Sequence, residues 1–302
     1  MPAYNDIVSE FAALQISNPT DSIDKLLNKY IALLHQHTGR NVIAYYSGWL
    51  HAQNTNGIQI NDDDKNGFMA TIHQLDRTLG LDLVLHSPGG DIAATESIVD
   101  YLRQMFGSDI RAIVPQSAMS AATMISCACK EILMGKHSNL GPIDPQFGGL
   151  PAHGVLEEFK TALKQIKKDP ALIPLWQSII GKYHPTFLGE CEHAMKWSKE
   201  IVRDWLRSGM FHGDPQAAQK SLRITKKLSD HQTTRTHSRH ISRAECQKIG
   251  LKIIDIEADQ NLQDRILSLH HSFIVGFSAN PANIKIMMNQ KGGIYVRRAI
   301  PR

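Results

Sequence analysis

Hydrophobic residues recur at helical spacing over the first forty positions and then in short continuous runs. Residues 5–37 have the apolar spacing of two helices, separated by Asn-Pro-Thr-Asp-Ser at 18–22. Further along, the runs that predict strands are 41–46, 82–86, 110–115 and 131–134, and those that predict helices are 66–75, 91–105 and 121–129. Strands that alternate with helices predict a parallel sheet with right-handed crossovers, which is an α/β fold.

The second half of the chain has a less regular pattern. Residues 138–153 are rich in glycine and proline and predict a loop, and helices are expected over 155–168 and 170–205. Residues 242–253 have the pattern of a helix followed by a strand. We predict three parts: an N-terminal helical extension (1–40), a core (41–255) and a C-terminal segment (256–302) that packs on the core or on a neighbouring subunit.

Two tight turns of small residues carry the candidate chemistry. Ser-Pro-Gly-Gly at 87–90 follows a predicted strand, and Ser120 stands at the start of a predicted helix. A serine nucleophile and nearby backbone N–H groups that hold an oxyanion are the minimum requirement for acyl transfer. The candidate N–H donors are those of Gly89, Gly90 and Ala121. The same residues also fit a plain turn and a helix N-cap, and Ser117 and Ser126 are alternative serines.

Composition narrows the classes of protein to consider. The 302 residues are 42% hydrophobic and 21% charged, which is typical of a globular domain. A net charge of +4 without interleaved aromatic and basic residues argues against nucleic-acid binding. No apolar run has transmembrane length, and the first ten residues lack a signal-peptide pattern. The spacing of the four cysteines fits neither disulfides nor zinc, so we expect a reduced, cytoplasmic protein.

Three motifs in order make a family recognisable. Leu83–Gly90, Val114–Ser120 and Leu140–Gln146 resemble the serine dehydrogenase proteinase family, which has the Clp-protease/crotonase fold and is related to signal peptide peptidase A. The similarity covers roughly residues 40–255 and includes Thr236–Leu251. It implies an α/β fold of repeated β-β-α units, here with extra helices at both ends. It also implies a polypeptide substrate and a homo-oligomer, either a ring or an assembly of trimers. An unidentified regulatory partner is a separate expectation, which the resemblance does not identify.

The resemblance leaves the general base open. Clp proteases carry a histidine in a loop beyond the strand after the nucleophile helix, but Gly141–Gln146 contains none. This departure points to the serine–lysine branch, in which a lysine about forty to fifty residues beyond the serine is the base. Lys160 and Lys164 lie at that distance on one helix face, although helix lysines are usually solvated. His153 is a third candidate base, because its ordinary pKa suits proton transfer.

Two other polar residues are candidates for supporting roles, and a group of histidines is considered as a metal site. Asp144 is a candidate for orienting the base, and His237 for shaping the edge of the active site or a subunit contact. His231, His237 and His240 lie near Asp230 and Glu245, but their spacing fits no usual pair of metal ligands. We therefore expect neither a metal nor a cofactor.

The sequence leads to one functional hypothesis and two alternatives. The leading hypothesis is a serine-type endopeptidase that forms an acyl-enzyme on Ser120. A catalytically silent scaffold or adaptor of the same fold is the first alternative. A crotonase-like acyl-CoA enzyme, in which the glycine turn polarises a thioester, is the second.

Overall fold

The structure, a computed structural model, describes residues 4–52, 55–230 and 236–299. The helices of these residues are α1 (Tyr4–Ser17), α2 (Ser22–Thr38), α3 (Asp64–Ile72), α4 (Ile92–Phe106), α5 (Ala121–Ala128), α6 (Ala152–Lys168), α7 (Ile173–Ile180), α8 (Phe187–Ser208), α9 (Ala217–Ser229), α10 (Arg243–Ile249) and α11 (Gln260–Ala279). The strands are β1 (Asn41–Ser47), β2 (Leu81–His86), β3 (Ile110–Val114), β4 (Ser117–Ala118), β5 (Glu131–Met134), β6 (Asn139–Leu140), β7 (Gln146–Phe147), β8 (Leu150–Pro151), β9 (Ile241–Ser242), β10 (Ile253–Asp255), β11 (Asn283–Asn289) and β12 (Ile294–Arg298).

A seven-stranded mixed sheet forms the centre of an α/β fold. Its strand order is β10-β5-β3-β2-β1-β11-β12. The first five strands are parallel to one another, and the last two pair antiparallel. Every residue of β1 and β2 is buried, which explains why both strands are mainly apolar without alternating polar positions.

Helices cover both faces of this sheet. Ile43 and Tyr45 of β1 face a core shared with α3, α4, α5 and α8. Val42, Ala44 and Tyr46 face the opposite core, which α1, α2 and α11 complete. Alternate residues of one strand point to opposite faces, so the fold has three layers, α/β/α. The finer prediction of repeated β-β-α units stays a prediction.

The C-terminal segment differs from its predicted form. We expected extra helices at this end of the chain. The structure has the helix α11 there, and it also has β11 and β12, which join the central sheet. The pattern obscured β11 because Lys285 interrupts its apolar run, and this lysine is fully buried against Asp64. Similarly, the helix expected over 170–205 is divided into α7 and α8, with Pro185 in the break between them.

A small second sheet joins three distant parts of the chain. Its order is β4-β6-β9, with Ser117 opposite Asn139 and Leu140 opposite Ile241. A single bridge between Ser87 and Ala118 links β4 to the Ser-Pro-Gly-Gly turn. The small sheet therefore holds β4, β6, β9 and the Ser-Pro-Gly-Gly turn close to one another.

Helix length and hydropathy bear on membrane insertion. Of the helices in the part of the chain that the structure describes, none combines the length and the apolar character needed to cross a lipid bilayer.

Candidate active site

Ser120 occupies a sharp strand-to-helix turn between β4 and α5. Its backbone has φ 51° and ψ −116°, a combination that few residues other than glycine adopt. Its side chain makes no capping hydrogen bond to α5, so the N-cap alternative does not describe this serine. A strained turn that presents a half-buried, uncommitted serine at a helix start is the geometry of an exposed nucleophile.

The two alternative serines lie in different surroundings. Ser117 is buried within β4, and Ser126 is fully buried in α5, where its hydroxyl donates to the Ala122 carbonyl at 2.8 Å. Neither lines the cavity that Ser120 faces. The geometry therefore favours Ser120 among the three.

The glycine turn lies directly against Ser120. Gly89 has φ 94°, and a Cβ atom on it would come within 2.6 Å of the Ser120 Cβ. Its N–H donates to the Ser87 hydroxyl at 3.1 Å. A side chain at Gly90 would meet the Ile60 carbonyl at 2.3 Å. Glycine is therefore required at both positions by the close approach of neighbouring chain segments.

Two backbone N–H groups, one in the glycine turn and one at the start of α5, have no hydrogen-bond partner among the described residues. Ile60 donates to the Gly89 carbonyl at 2.8 Å and accepts from the Asp91 N–H at 2.9 Å. The Gly90 N–H lies on the other edge of this extended segment, because successive backbone groups alternate. Among the described residues, no hydrogen bond takes the Gly90 or Ala121 N–H. These two amides are thus better placed than that of Gly89 to hold an oxyanion.

Asp144 and His237 form a hydrogen-bonded pair in the same place. His237 Nδ1 lies 2.9 Å from Asp144 Oδ1, and the carboxylate is only 2% exposed. Because an ionised carboxylate accepts, Nδ1 donates, which leaves Nε2 of the ring free. The pair is 93 residues apart in sequence. The small sheet places it: Asp144 follows β6, and His237 precedes β9.

Ser120 and this pair line one cavity of about 820 Å³. The Gly90 turn and Ala121 are on its wall, together with segments that the sequence did not single out. Phe147 and the half-exposed Trp197 of α8 contribute apolar surface. Their only signal in the sequence is an aromatic side chain on a loop or on an amphipathic helix, which does not distinguish a cavity wall from ordinary packing. A cavity of this size with a few convergent polar groups is typical of a ligand site.

The predicted lysine bases lie elsewhere. Lys160 is 69% exposed and ion-paired with Glu157 at 2.8 Å, and Lys164 is exposed on the same helix, α6. His153, at the start of α6, is likewise not among the residues that line the cavity. A catalytic lysine works from a desolvated position, which neither lysine has.

The described members of the histidine-rich stretch are not grouped as a metal site. His237 binds Asp144, while His240 is exposed, and His231 lies outside the described residues. Within the described ranges, no three His, Cys, Asp or Glu side chains are close enough together to hold a metal ion.

Histidines are also buried behind the glycine turn. His86 is 1% exposed, and burial, with a smaller contribution from the charge of His51, lowers its pKa to about 4. Its ring packs against Tyr46 and His270 with centroids 5.4 Å away in both cases. Burial also holds the pKa of His270 well below its ordinary value. Both rings are therefore neutral at neutral pH.

Comparison with known proteins finds two relatives and one family. Two relatives from Methanocaldococcus jannaschii, the uncharacterized proteins MJ1495 and MJ0137, are each 25% identical to this chain over 220 and 207 residues. The alignments cover 73% and 68% of this chain and 66% and 63% of the relatives, slightly less than two thirds of their length. The model of the ClpP-like SDH-type serine proteinases matches residues 54–270 and confirms the family expected from the motifs. The chain belongs to this family of ClpP-like serine proteinases.

Proposed function

We propose that the protein is a serine peptidase in which Ser120 is the nucleophile, His237 the general base and Asp144 the group that orients the base. The observation that carries the proposal is the Asp144–His237 hydrogen bond at the wall of the cavity that the strained Ser120 also lines. Membership of the ClpP-like serine proteinases supports the same reaction class.

His237 replaces lysine as the proposed base. The sequence pointed to Lys160, Lys164 or His153 because the Gly141–Gln146 loop lacks a histidine. That loop supplies Asp144 instead, and the histidine comes from a segment almost a hundred residues later. Exposure of the lysines outside the cavity supports this exchange of roles.

The proposed reaction follows from these positions. The Ser120 hydroxyl transfers its proton to His237 Nε2 as Oγ attacks the carbonyl carbon of a polypeptide. The negative charge on the carbonyl oxygen is held by the Gly90 and Ala121 N–H groups. His237 then gives the proton to the leaving amine, and water hydrolyses the acyl-enzyme by the same route. Asp144 keeps the imidazole in the required tautomer and stabilises its charged form.

The carboxylates of the cavity argue against acyl-CoA chemistry. A crotonase-like reaction needs a carboxylate that is free to move a proton. Asp91 caps α4 by accepting from the Ala94 N–H at 2.8 Å, and Asp144 is paired with His237. Both carboxylates that line the cavity thus already accept hydrogen bonds and are not free to move a proton.

Fluorophosphonate labelling tests the proposal, because this probe reacts with activated serines. We expect labelling of the wild type, none of Ser120→Ala, and a rate at least about a thousandfold lower in His237→Gln and Asp144→Asn. His240→Gln is the matched control, since this exposed histidine lies on the same segment. Lys160→Ala, Lys164→Ala and His153→Ala should all label normally.

Two results would contradict the proposal. Normal labelling of His237→Gln, with loss in one of the α6 variants, would return the base to that helix. A folded wild type that never labels would favour the scaffold alternative.

Assembly and location remain part of the proposal. The family resemblance implies a ring or trimer-based homo-oligomer. A cytoplasmic location, expected from the cysteine spacing, and an unidentified regulatory partner are further parts of the proposal. Sedimentation velocity would measure the mass of the assembly.

A further inference from the structure

A second cavity lies between α9 and α10, away from Ser120. It has a volume of about 290 Å³. Its apolar surface comes from Ile241 and Ile249, with the aliphatic stems of long basic side chains. Pockets for small molecules are mostly apolar and hold a few polar groups, and this cavity lies at the small end of their range.

The residues that line this cavity carry mainly positive charge. Four of the residues that line it are basic and one is acidic; they are Arg223, Lys227, Arg239, Lys248 and Glu245. Glu245 is already engaged: it pairs with Arg239 at 2.6 Å and caps α10 through Ser242. In the described part of the chain, no ion pair neutralises the other three cations. The cavity therefore attracts an anion.

Helix electrostatics explains only part of this cluster. Lys227 and Lys248 stand in the last turns of their helices, where a cation is favourable in any protein. Arg223 stands in the middle of α9, so this explanation does not apply to it. Its guanidinium lies against Gly250, where a Cβ would be 2.5 Å from Nη2. The absence of a side chain at 250 lets Arg223 reach the cavity.

The cavity shares its walls with the segment that carries His237. Arg239 is two residues beyond His237, and Ile241 begins β9. On the other side, the Leu228 carbonyl of α9 accepts from the Ile143 N–H at 3.1 Å, one residue before Asp144. A ligand that fixes α9 against α10 would therefore also fix both ends of the Asp144–His237 pair.

We propose that this cavity binds a small organic anion, a phosphate or carboxylate attached to an apolar group, and that the bound anion stabilises residues 236–242. Arginine side chains suit such a ligand because their planar forks match carboxylate and phosphate oxygens. The relevance of this stabilisation to catalysis rests on the function proposed above for His237, whereas binding of the anion does not.

Calorimetric titration of the full chain with phenyl phosphate tests binding. At one fixed ionic strength we expect a single saturable site, with inorganic phosphate and benzyl alcohol each binding at least tenfold more weakly. Arg223→Gln and Lys248→Gln should each weaken phenyl phosphate binding at least fivefold. Lys167→Gln is the matched control, an exposed lysine in the last turn of α6, and should leave it unchanged. Absence of saturable binding, or equal affinity in Arg223→Gln, overturns the site.

Hydrogen exchange tests the coupling without using activity. Saturating phenyl phosphate should slow amide exchange of residues 236–242 at least threefold and leave α6 unchanged. Unaltered exchange in 236–242 overturns the coupling. Because neither measurement depends on Ser120, failure of fluorophosphonate labelling would reject the proposed peptidase and leave this result standing.

Discussion

At the scale of single residues, the candidate site depends on how closely the chain approaches itself. Gly90 is in backbone contact with Ile60, and Gly89 lies against the Cβ atom of Ser120. The positive φ of Ser120 is a strained conformation that its surroundings must hold. The site thus requires glycine at both positions, as well as the serine hydroxyl.

Gly90→Ala tests this dependence. The added Cβ would lie 2.3 Å from the Ile60 carbonyl oxygen, so one segment must move and the Gly90 N–H with it. We expect fluorophosphonate labelling to slow about a hundredfold or more, which is the effect of losing one oxyanion donor. Gly189→Ala is the control, because it lies in α8 with open space around it and should label normally. An unchanged rate in Gly90→Ala would remove this amide from the proposed oxyanion hole.

At the scale of elements, short strands and one buried ion pair position the site. Lys285 of β11 is fully buried and donates to both Asp64 oxygens, at 2.6 and 2.8 Å, and to the Gln59 carbonyl at 2.9 Å. Asp64 also accepts from the Tyr45 hydroxyl at 2.9 Å. Since Ile60 stands between Gln59 and Asp64, this network holds the segment that supports Gly90.

Lys285→Met should therefore be strongly destabilising. It leaves the Asp64 carboxylate buried without a counter-ion, and we expect a loss of about 3–5 kcal/mol in the free energy of unfolding. Adding Asp64→Asn removes that charge and should recover a large part of the loss. Guanidinium denaturation measures the free energy of unfolding of the wild type, the single variant and the double variant. The exposed Lys291→Met is the control. If Lys285→Met costs no more than Lys291→Met, the network does not have this role.

At the scale of the whole molecule, the stability should depend on pH through the buried histidines. His86 has a pKa of about 4 in the folded protein against about 6.5 when unfolded, so the unfolded state binds the proton first as pH falls. The free energy of unfolding therefore falls progressively from about pH 6.5 to pH 4, by about 3 kcal/mol for this histidine. In His86→Asn the loss of stability between pH 7 and 4 should be smaller by that amount. The exposed His73→Asn should behave as wild type, and an unchanged pH dependence in His86→Asn would refute the assignment.

The sequence predicted the local elements and turns, but it did not predict contacts between residues far apart in the chain. The parallel strands and the Ser120 and Gly90 turns were recognisable because each is a run of apolar or small residues within a few positions. The Asp144–His237 pair was not, since 93 residues separate its members and the small sheet that aligns them has strands of two residues. Likewise β11 was hidden by Lys285, whose partner is 221 residues away.

The Asp64–Lys285 pair also has a consequence for the order of events during synthesis. The ribosome makes Asp64 221 residues before the lysine that neutralises it. Until then the carboxylate cannot be buried at low cost, and β1 lacks its antiparallel neighbour. The glycine turn and Ser120 are already translated but have no fixed support for Ile60. A growing chain therefore lacks the support of the proposed hydrolytic centre until β11 has been made.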